Sequence, residues 1–367
     1  MTLSATRLYL LLAAIISLAI ADGAASIGLH LLARRGLPYP PLDPADLPAQ
    51  SRGIVEYALR DQPSYLQLDS GLGWRIRPGA TGLGGTPRTL PDGRRKPQGR
   101  GTVAAFGDSF THGTGVEDAE TWAALVGADN YGVPGYGLDQ AYLHYLAVRP
   151  GADTVLIGFM SENIRRAVNV YRPFYVANTH LPFAKPRFTL DRRDSLILLP
   201  NPLPTADAYR ALLRRPDSVL ARLGEADAHW HRRWHRSRWD VLATVQLAKL
   251  AYETVSAPEF YDPSAEPFRV TVAVFDAFVR AVRTDGATPI ILLFPNAGDL
   301  RDGLSYPALR DTLTARGYPV LDLADAFRDC GKCPAMFRRD HYSAAGHGRV
   351  AAVLRSQLMR RGSGGSN

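Results

Sequence analysis

Cysteine is nearly absent: the 367-residue chain has two, Cys330 and Cys333, and no second Cys-x-x-Cys pair to complete a zinc cage. A structural thiolate metal site is thereby excluded, and two cysteines so close together read as a small local disulfide formed in an oxidising space. The chain also lacks zinc-finger spacing, the aromatic motif of RNA-binding sheets and the pattern of a DNA-reading helix, so nucleic acid is not an expected partner. It has no internal repeat. Disorder is excluded by 46% hydrophobic residues, enough for the core of one large α/β domain with appendages or of two modest domains.

What is present in excess is positive charge. Lys+Arg 43 against Asp+Glu 35 gives a net charge of +8 and a pI near 9.6, a balance suited to anionic surroundings such as phospholipid headgroups or acidic glycans. Residues 1–35 read as a membrane anchor or signal segment. Arg7 precedes the run 8–20, apolar apart from Ser17, and Ala19-Ile20-Ala21 offers the small residues that precede a signal-peptidase cut. The apolar character continues through Ile27, Leu29, Leu31 and Leu32 to Arg34-Arg35, so 8–32 is long enough to cross a bilayer. Asp22 in its middle costs roughly 3 kcal/mol on insertion scales. The expected location is therefore the cell membrane, single-pass with the bulk of the chain extracytoplasmic (periplasmic), or secretion after cleavage; basic residues at both ends leave charge bias silent on orientation.

Residues 36–100 form a spacer and a small N-terminal extension. Proline-rich 36–49 predicts a semi-rigid spacer, 53–78 a small element, and 79–101 an irregular loop. From 101 to 362, short apolar runs alternate with helical periodicity, predicting strands at 103–106, 154–159, 288–294 and 320–323 and a short one near 130–133. Helices are predicted at 121–127, 138–148, 269–283, 306–316 and 344–360. This order predicts an α/β fold: a three-layer α/β/α sandwich with a mainly parallel sheet, interrupted by an insertion at about 165–258.

Four blocks carry chemistry. Gly107-Asp108-Ser109 follows the strand 103–106 directly, where open α/β sheets place reactive groups, and a serine at a helix start leaves its N–H free for an oxyanion. In Asn130-Tyr131-Gly132-Val133-Pro134-Gly135, a glycine-rich turn lets backbone approach a substrate, with the Gly135 N–H as donor. Asn163 ends the next strand block and offers a side-chain donor. His341, in Arg339-Asp340-His341-Tyr342-Ser343, precedes the last helix and suits a general base, because its ordinary pKa lies near neutrality. All four lie in loops that a parallel sheet gathers on one edge.

In these blocks the chain resembles the SGNH/GDSL hydrolase superfamily over roughly residues 101–360, with Ser109, Gly135, Asn163 and His341 on the four residues for which that superfamily is named. The resemblance implies a flavodoxin-like sheet, Ser109 as nucleophile, His341 as base, and an oxyanion hole from the Ser109 N–H, the Gly135 N–H and the Asn163 side chain; an acyl-enzyme mechanism on these residues needs no metal or organic cofactor. Residues 72–79 resemble the leader of membrane-linked bacterial members. Two positions depart from the pattern. The aspartate usual three residues before the histidine is Arg338 here, leaving Asp340 as the candidate orienting acid or a Ser–His dyad as the alternative, and Asn163 is followed by Ile164 rather than aspartate.

The segment 229–239, His-Trp-His-Arg-Arg-Trp-His-Arg-Ser-Arg-Trp, reads as an amphipathic helix with Trp230 beside Trp234 and His231 beside His235. It is packed on its tryptophans, or else lies on a membrane surface or against acidic sugars. His231 and His235 lack a third ligand, so no metal is expected. The sequence thus predicts an exported or membrane-anchored serine esterase acting on acyl esters, including O-acyl groups of a glycan. The alternatives are an O-acyltransferase modifying an extracytoplasmic polysaccharide and a non-catalytic glycan-binding or scaffold protein.

Overall fold

Among the described residues, a long helix and a hairpin precede the α/β part of the chain. In the computed structural model, α1 (Ala5–Arg34) is followed by the antiparallel hairpin β1 (Leu66–Asp69) and β2 (Gly73–Ile76). The described residues are 4–34, 56, 59, 65–82, 88–176, 179, 181, 183–233, 237–255, 259–329 and 333–362; the proline-rich spacer lies outside them. The segment 79–101 is irregular, as expected, yet isolated bridges order it, and Arg95 within it is fully buried. Its guanidinium binds the carbonyls of His112, Gly113 and Val116 and the Asp118 carboxylate, which satisfies a buried charge that would otherwise be costly.

The first part of the α/β region runs β3 (Val103–Phe106), α2 (Ser109–His112), α3 (Trp122–Val126), β4 (Asp129–Asn130), α4 (Leu138–Val148), β5 (Thr154–Met160) and α5 (Asn163–Arg166). Next comes the insertion, with hairpin β6 (Arg187–Leu190) and β7 (Leu196–Leu199) and helices α6 (Ala206–Arg214), α7 (Pro216–Glu225), α8 (Ala228–Arg233) and α9 (Ala243–Val255). The chain closes through α10 (Glu266–Thr284), β8 (Thr288–Phe294), α11 (Ala297–Asp302), α12 (Pro307–Ala315), β9 (Val320–Asp322), the short pair β10 (Phe337–Arg338) and β11 (His341–Tyr342), and α13 (Ala344–Gly362).

Five strands form one parallel sheet in the order β4-β3-β5-β8-β9. Counted within the sheet this is 2-1-3-4-5, the flavodoxin-like order, whose switch point lies between β3 and β5. Successive strand residues serve opposite cores. Val155, Ile157 and Phe159 of β5 and Ile291 and Leu293 of β8 pack with Tyr145 of α4, Phe275 and Phe278 of α10, and Leu309 of α12. Leu156, Met160, Leu292 and Phe294 pack instead with Trp122 of α3 and with Val350 and Leu354 of α13. Helices cover both faces, which makes the expected three-layer sandwich and explains why the strands read as unbroken apolar runs. Each of these buried side chains contributes roughly 1.5–3 kcal/mol.

A separate core joins the hairpin to the insertion. Trp74 and Ile76 of β2 pack with Tyr136, Tyr171, Phe174, Phe183, Tyr209 and Leu220, so the N-terminal extension and the insertion stabilise each other around the loop that carries Gly135. The helix expected through 229–239 ends earlier. Trp230 lies in this core, 4.9 Å from the Phe174 ring, while Ser237 accepts from the Trp239 N–H and starts a separate turn, Arg238–Val241. Trp234 and His235 lie outside the described residues.

Candidate active site

The turn after β3 is dictated by its glycine. Gly107 has φ +155°, and a methyl group there would lie 2.2 Å from Thr111 Oγ1, so only glycine lets α2 start so tightly against the strand. Asp108 caps α2 by accepting from the Phe110 N–H at 2.9 Å. Ser109, buried to 7% exposure, stands at the first helical position. Its N–H belongs to the turn that has no intrahelical acceptor, and none of the described residues accepts from it.

His341 arrives from the other end of the chain. The two-residue ladder pairs Arg338 with His341, the turn being made at Arg339 with φ +57°, and the His341 ring lies 5.5 Å from that of Phe110. Its Nε2 is 2.9 Å from Ser109 Oγ. For Nε2 to accept the hydroxyl, the ring proton must sit on Nδ1, and Nδ1 has no acceptor among the described residues. Burial lowers the His341 pKa below its ordinary value, with Asp108 and then Asp340 pulling it back up. The imidazole is therefore neutral at neutral pH, the form that takes a proton.

Asp340 stands next to this ring in sequence but is not joined to it by a hydrogen bond among the described residues. It is exposed, and the side chains of adjacent residues in extended backbone point to opposite sides. It bears on His341 through its charge, while the hydrogen bond at this place joins Ser109 and His341.

The remaining two blocks converge on the switch point. Beyond β4, Tyr131 N–H donates to Ala105 O and Val133 N–H to Gly107 O, carrying the glycine-rich loop along β3 to the nucleophile turn. Gly135 has φ +82°, and a methyl group on it would lie 2.0 Å from Leu181 and 3.4 Å from Trp74. Its N–H has no acceptor among the described residues. The loop is held from behind by the hairpin: Trp74 Nε1 donates to Pro134 O at 3.0 Å, Tyr136 OH to Trp74 O at 2.6 Å, and Gln140 Nε2 to Leu72 O at 2.7 Å. The Leu72-Gly73-Trp74 block is thus a brace for the Gly135 loop.

Asn163 opens α5 at the end of β5. One of its amide hydrogens goes to Asp108 Oδ2 at 3.1 Å, and its Oδ1 accepts from Arg166 at 3.0 Å, which fixes the amide's orientation and leaves one N–H without an acceptor among the described residues. Three residues here had no assigned part in the sequence reading. Asp108 is fully buried and accepts from Phe110, Asn163 and Arg166; burial raises its pKa, but three donors on one carboxyl fit the anion. Arg166 also bonds Tyr136 O at 2.6 Å and Glu162 at 3.1 Å. Burial would raise the Glu162 carboxyl, yet Arg166 and Arg172 outweigh it and, with the Tyr175 hydroxyl, bring it down to about 2. The readable signal was spacing: Arg166 is three residues from Asn163 and four from Glu162, one helical face.

Beside this network, at the carboxyl ends of β5 and β8, a cleft of about 560 Å³ is lined by Glu162, Arg165, Phe260, Tyr261 and Asn296 among others. Two other histidines near Ser109 or His341 in sequence are structural. His112 Nε2 pairs with Tyr65 OH at 2.7 Å, and His347 Nδ1 accepts from the Trp122 N–H at 3.2 Å. Cys333 is disulfide-bonded and buried; Cys330, the only other cysteine of the chain, lies outside the described residues.

Fold and site together define a class: a flavodoxin-like α/β sandwich with a hydrogen-bonded serine–histidine pair and, in the loops after β3, β4 and β5, three N–H donors without an acceptor among the described residues. No protein-family model and no curated protein matches the chain. Two solved structures are similar to it: a lipolytic protein of the G-D-S-L family from Desulfitobacterium hafniense, at 12% identity and TM-score 0.35, covering 68% of this chain and 95% of that one, and a member of the lipolytic protein G-D-S-L family from Veillonella parvula, at 11% identity and TM-score 0.36, covering 70% and 98%. At such TM-scores neither adds weight to the geometry.

Proposed function

We propose that the chain is a membrane-anchored serine esterase that cleaves acyl esters outside the cytoplasm. The observation that carries this reading is the 2.9 Å contact between Ser109 Oγ and the neutral His341 Nε2. As Oγ attacks the acyl carbon, its proton passes to Nε2. The carbonyl oxygen becomes an oxyanion, received by the N–H groups of Ser109 and Gly135 and the free amide hydrogen of Asn163. Collapse of this adduct breaks the ester bond and sends the His341 proton to the departing alkoxide. Water then repeats the sequence on the acyl-serine, releasing the acid and restoring the hydroxyl.

For the substrate, an O-acylated glycan fits best. Phe260 and Tyr261 give the neighbouring cleft apolar faces, and Glu162, Arg165 and Asn296 give it polar groups, a lining suited to sugar rings. The 30-residue apolar α1, almost wholly exposed, supports attachment to a membrane. The test is hydrolysis of p-nitrophenyl acetate and of an O-acetylated polysaccharide by the full chain in detergent. Wild type should release acetate, and Ser109→Ala and His341→Ala should each fall by about 10³-fold or more. Equal turnover in wild type and Ser109→Ala refutes the reading, and acetate moved to an added sugar acceptor instead of water makes the enzyme a transferase.

A further inference from the structure

The membrane helix and the insertion touch at one specific place. Every residue from Ser4 to Ala21 is exposed, and among the described residues α1 is covered beyond them, at Asp22, Ala25, Gly28, Leu29 and Leu32. Asp22, the single acidic charge of the apolar segment, accepts from Thr244 N–H at 2.8 Å and from Thr244 Oγ1 at 2.9 Å, so it caps the start of α9. Gly28 then lies opposite Leu247. Because positions 22 and 28 meet 244 and 247 in that order, α9 runs beside the C-terminal half of α1 in the same direction.

This contact fixes a level along α1. Residues 5–21 are roughly 17 residues, or about 26 Å of helix, close to the roughly 30 Å of a bilayer's hydrocarbon core. Asp22 and the start of α9 therefore fall where hydrocarbon gives way to headgroups. At that level sits the turn 237–242. It is rigidly built: Asp240 accepts from Ser237 N–H at 3.0 Å and pairs with Lys249, and Gln246 donates to Asp240 O. Yet it presents apolar side chains outward, with Trp239 55%, Val241 80% and Leu242 38% exposed. Arg238 lies over the Trp239 ring at 5.0 Å, and Arg232, Arg233 and Arg236 precede it in sequence.

Resting on the reading of α1 as a membrane span, we propose that the turn 237–242 is a second membrane contact, in which Trp239, Val241 and Leu242 enter the headgroup boundary of an anionic bilayer beside α1. Tryptophan and arginine have their place at that boundary, the ring half-buried and the cation on phosphate. Two attachments instead of one remove the swivel about α1. The insertion, whose core residues lie behind the Gly135 loop, is then held at a set height and orientation over the lipid.

The test uses the full chain in vesicles of phosphatidylcholine and phosphatidylglycerol, with nitroxide labels on single cysteines introduced as Leu12→Cys, Val241→Cys or the exposed Arg192→Cys. Relaxation by oxygen, which partitions into lipid, is compared with relaxation by a water-soluble nickel chelate. The expected result is an oxygen-to-nickel ratio at 12 and at 241 severalfold above that at 192, with the ratio at 241 falling when phosphatidylglycerol is left out. A lipid-like ratio at 12 with a water-like ratio at 241 overturns the second contact and spares the anchor. Water-like ratios at both positions overturn the anchor as well, and an unchanged ratio at 241 without phosphatidylglycerol overturns the anionic preference.

Discussion

Replacing Asp108 by asparagine separates the two acids near the histidine. Asp108 Oδ1 caps α2 through the Phe110 N–H, and Oδ2 faces two donors, Asn163 Nδ2 at 3.1 Å and Arg166 Nη1 at 3.4 Å. Asparagine caps as well as aspartate, so α2 should keep its start, but the new NH₂ group would meet the Asn163 amide donor to donor. Losing a charge-assisted bond at a buried site costs about 1.5–3 kcal/mol of stability. Without its anchor the Asn163 amide turns away, and the loss of one oxyanion donor costs about 10²- to 10³-fold in kcat. Asp108 is also the foremost charge raising His341, so the acid limb of kcat/KM should move to lower pH. Ester hydrolysis by Asp108→Asn, Asn163→Ala and the double variant forms a cycle, and the double should be no slower than the worse single, because both remove the same donor. A kcat for Asp108→Asn within threefold of wild type, or losses that multiply in the double, would refute this.

Asp340→Asn should behave differently. An exposed neighbour acting by charge alone is screened, so kcat should stay within about twofold and the acid limb should move down by a fraction of a pH unit, whereas losing an orienting acid costs about 10⁴-fold. A loss near that size in a pH–rate profile would restore Asp340 to the catalytic machinery. Trp74→Phe should keep most of the packing but lose the bond to Pro134 O, costing about 1 kcal/mol in a urea titration and lowering kcat through a looser Gly135 loop; the same destabilisation with an unchanged kcat would remove the brace. Acid should unfold the protein through its buried histidines. Burial brings His144 down to about 4 and His347 down to about 3, while the unfolded chain protonates them near 6.5. Stability is thus complete above pH 6.5 and falls below it, by about 1.4 kcal/mol per pH unit for each such histidine until its folded pKa is reached. In urea midpoints measured against pH, His347→Gln should lose that residue's share of the slope, and an unchanged slope would contradict its buried neutral state.

Strands β3, β5 and β8 were legible because burial on both faces makes them continuous apolar runs, and α4 and α10 because their periodicity survives packing. The strand order was not in the pattern itself; it came from a family resemblance, and the ladders bear it out. Within the site, serine, glycine and asparagine were readable since each lies in a loop that follows a strand, and histidine since it lies just before the last helix. What escaped was any pairing made across space. Asp108 looks like a helix cap and is also the anchor of Asn163. Asp340 looks like the partner of His341, but it is exposed and no hydrogen bond joins the two among the described residues. The cost of Asp22 in an apolar helix was visible, while its relief by Thr244, more than two hundred residues away, belongs to tertiary structure alone.

Activation of Ser109 by His341 is read out by a fluorophosphonate probe followed by peptide mass analysis. Wild type should form one adduct rapidly, on Ser109, slowed by about 10³-fold or more in His341→Ala and absent in Ser109→Ala. An adduct on another residue, or labelling of Ser109 at the same rate with and without His341, would contradict it.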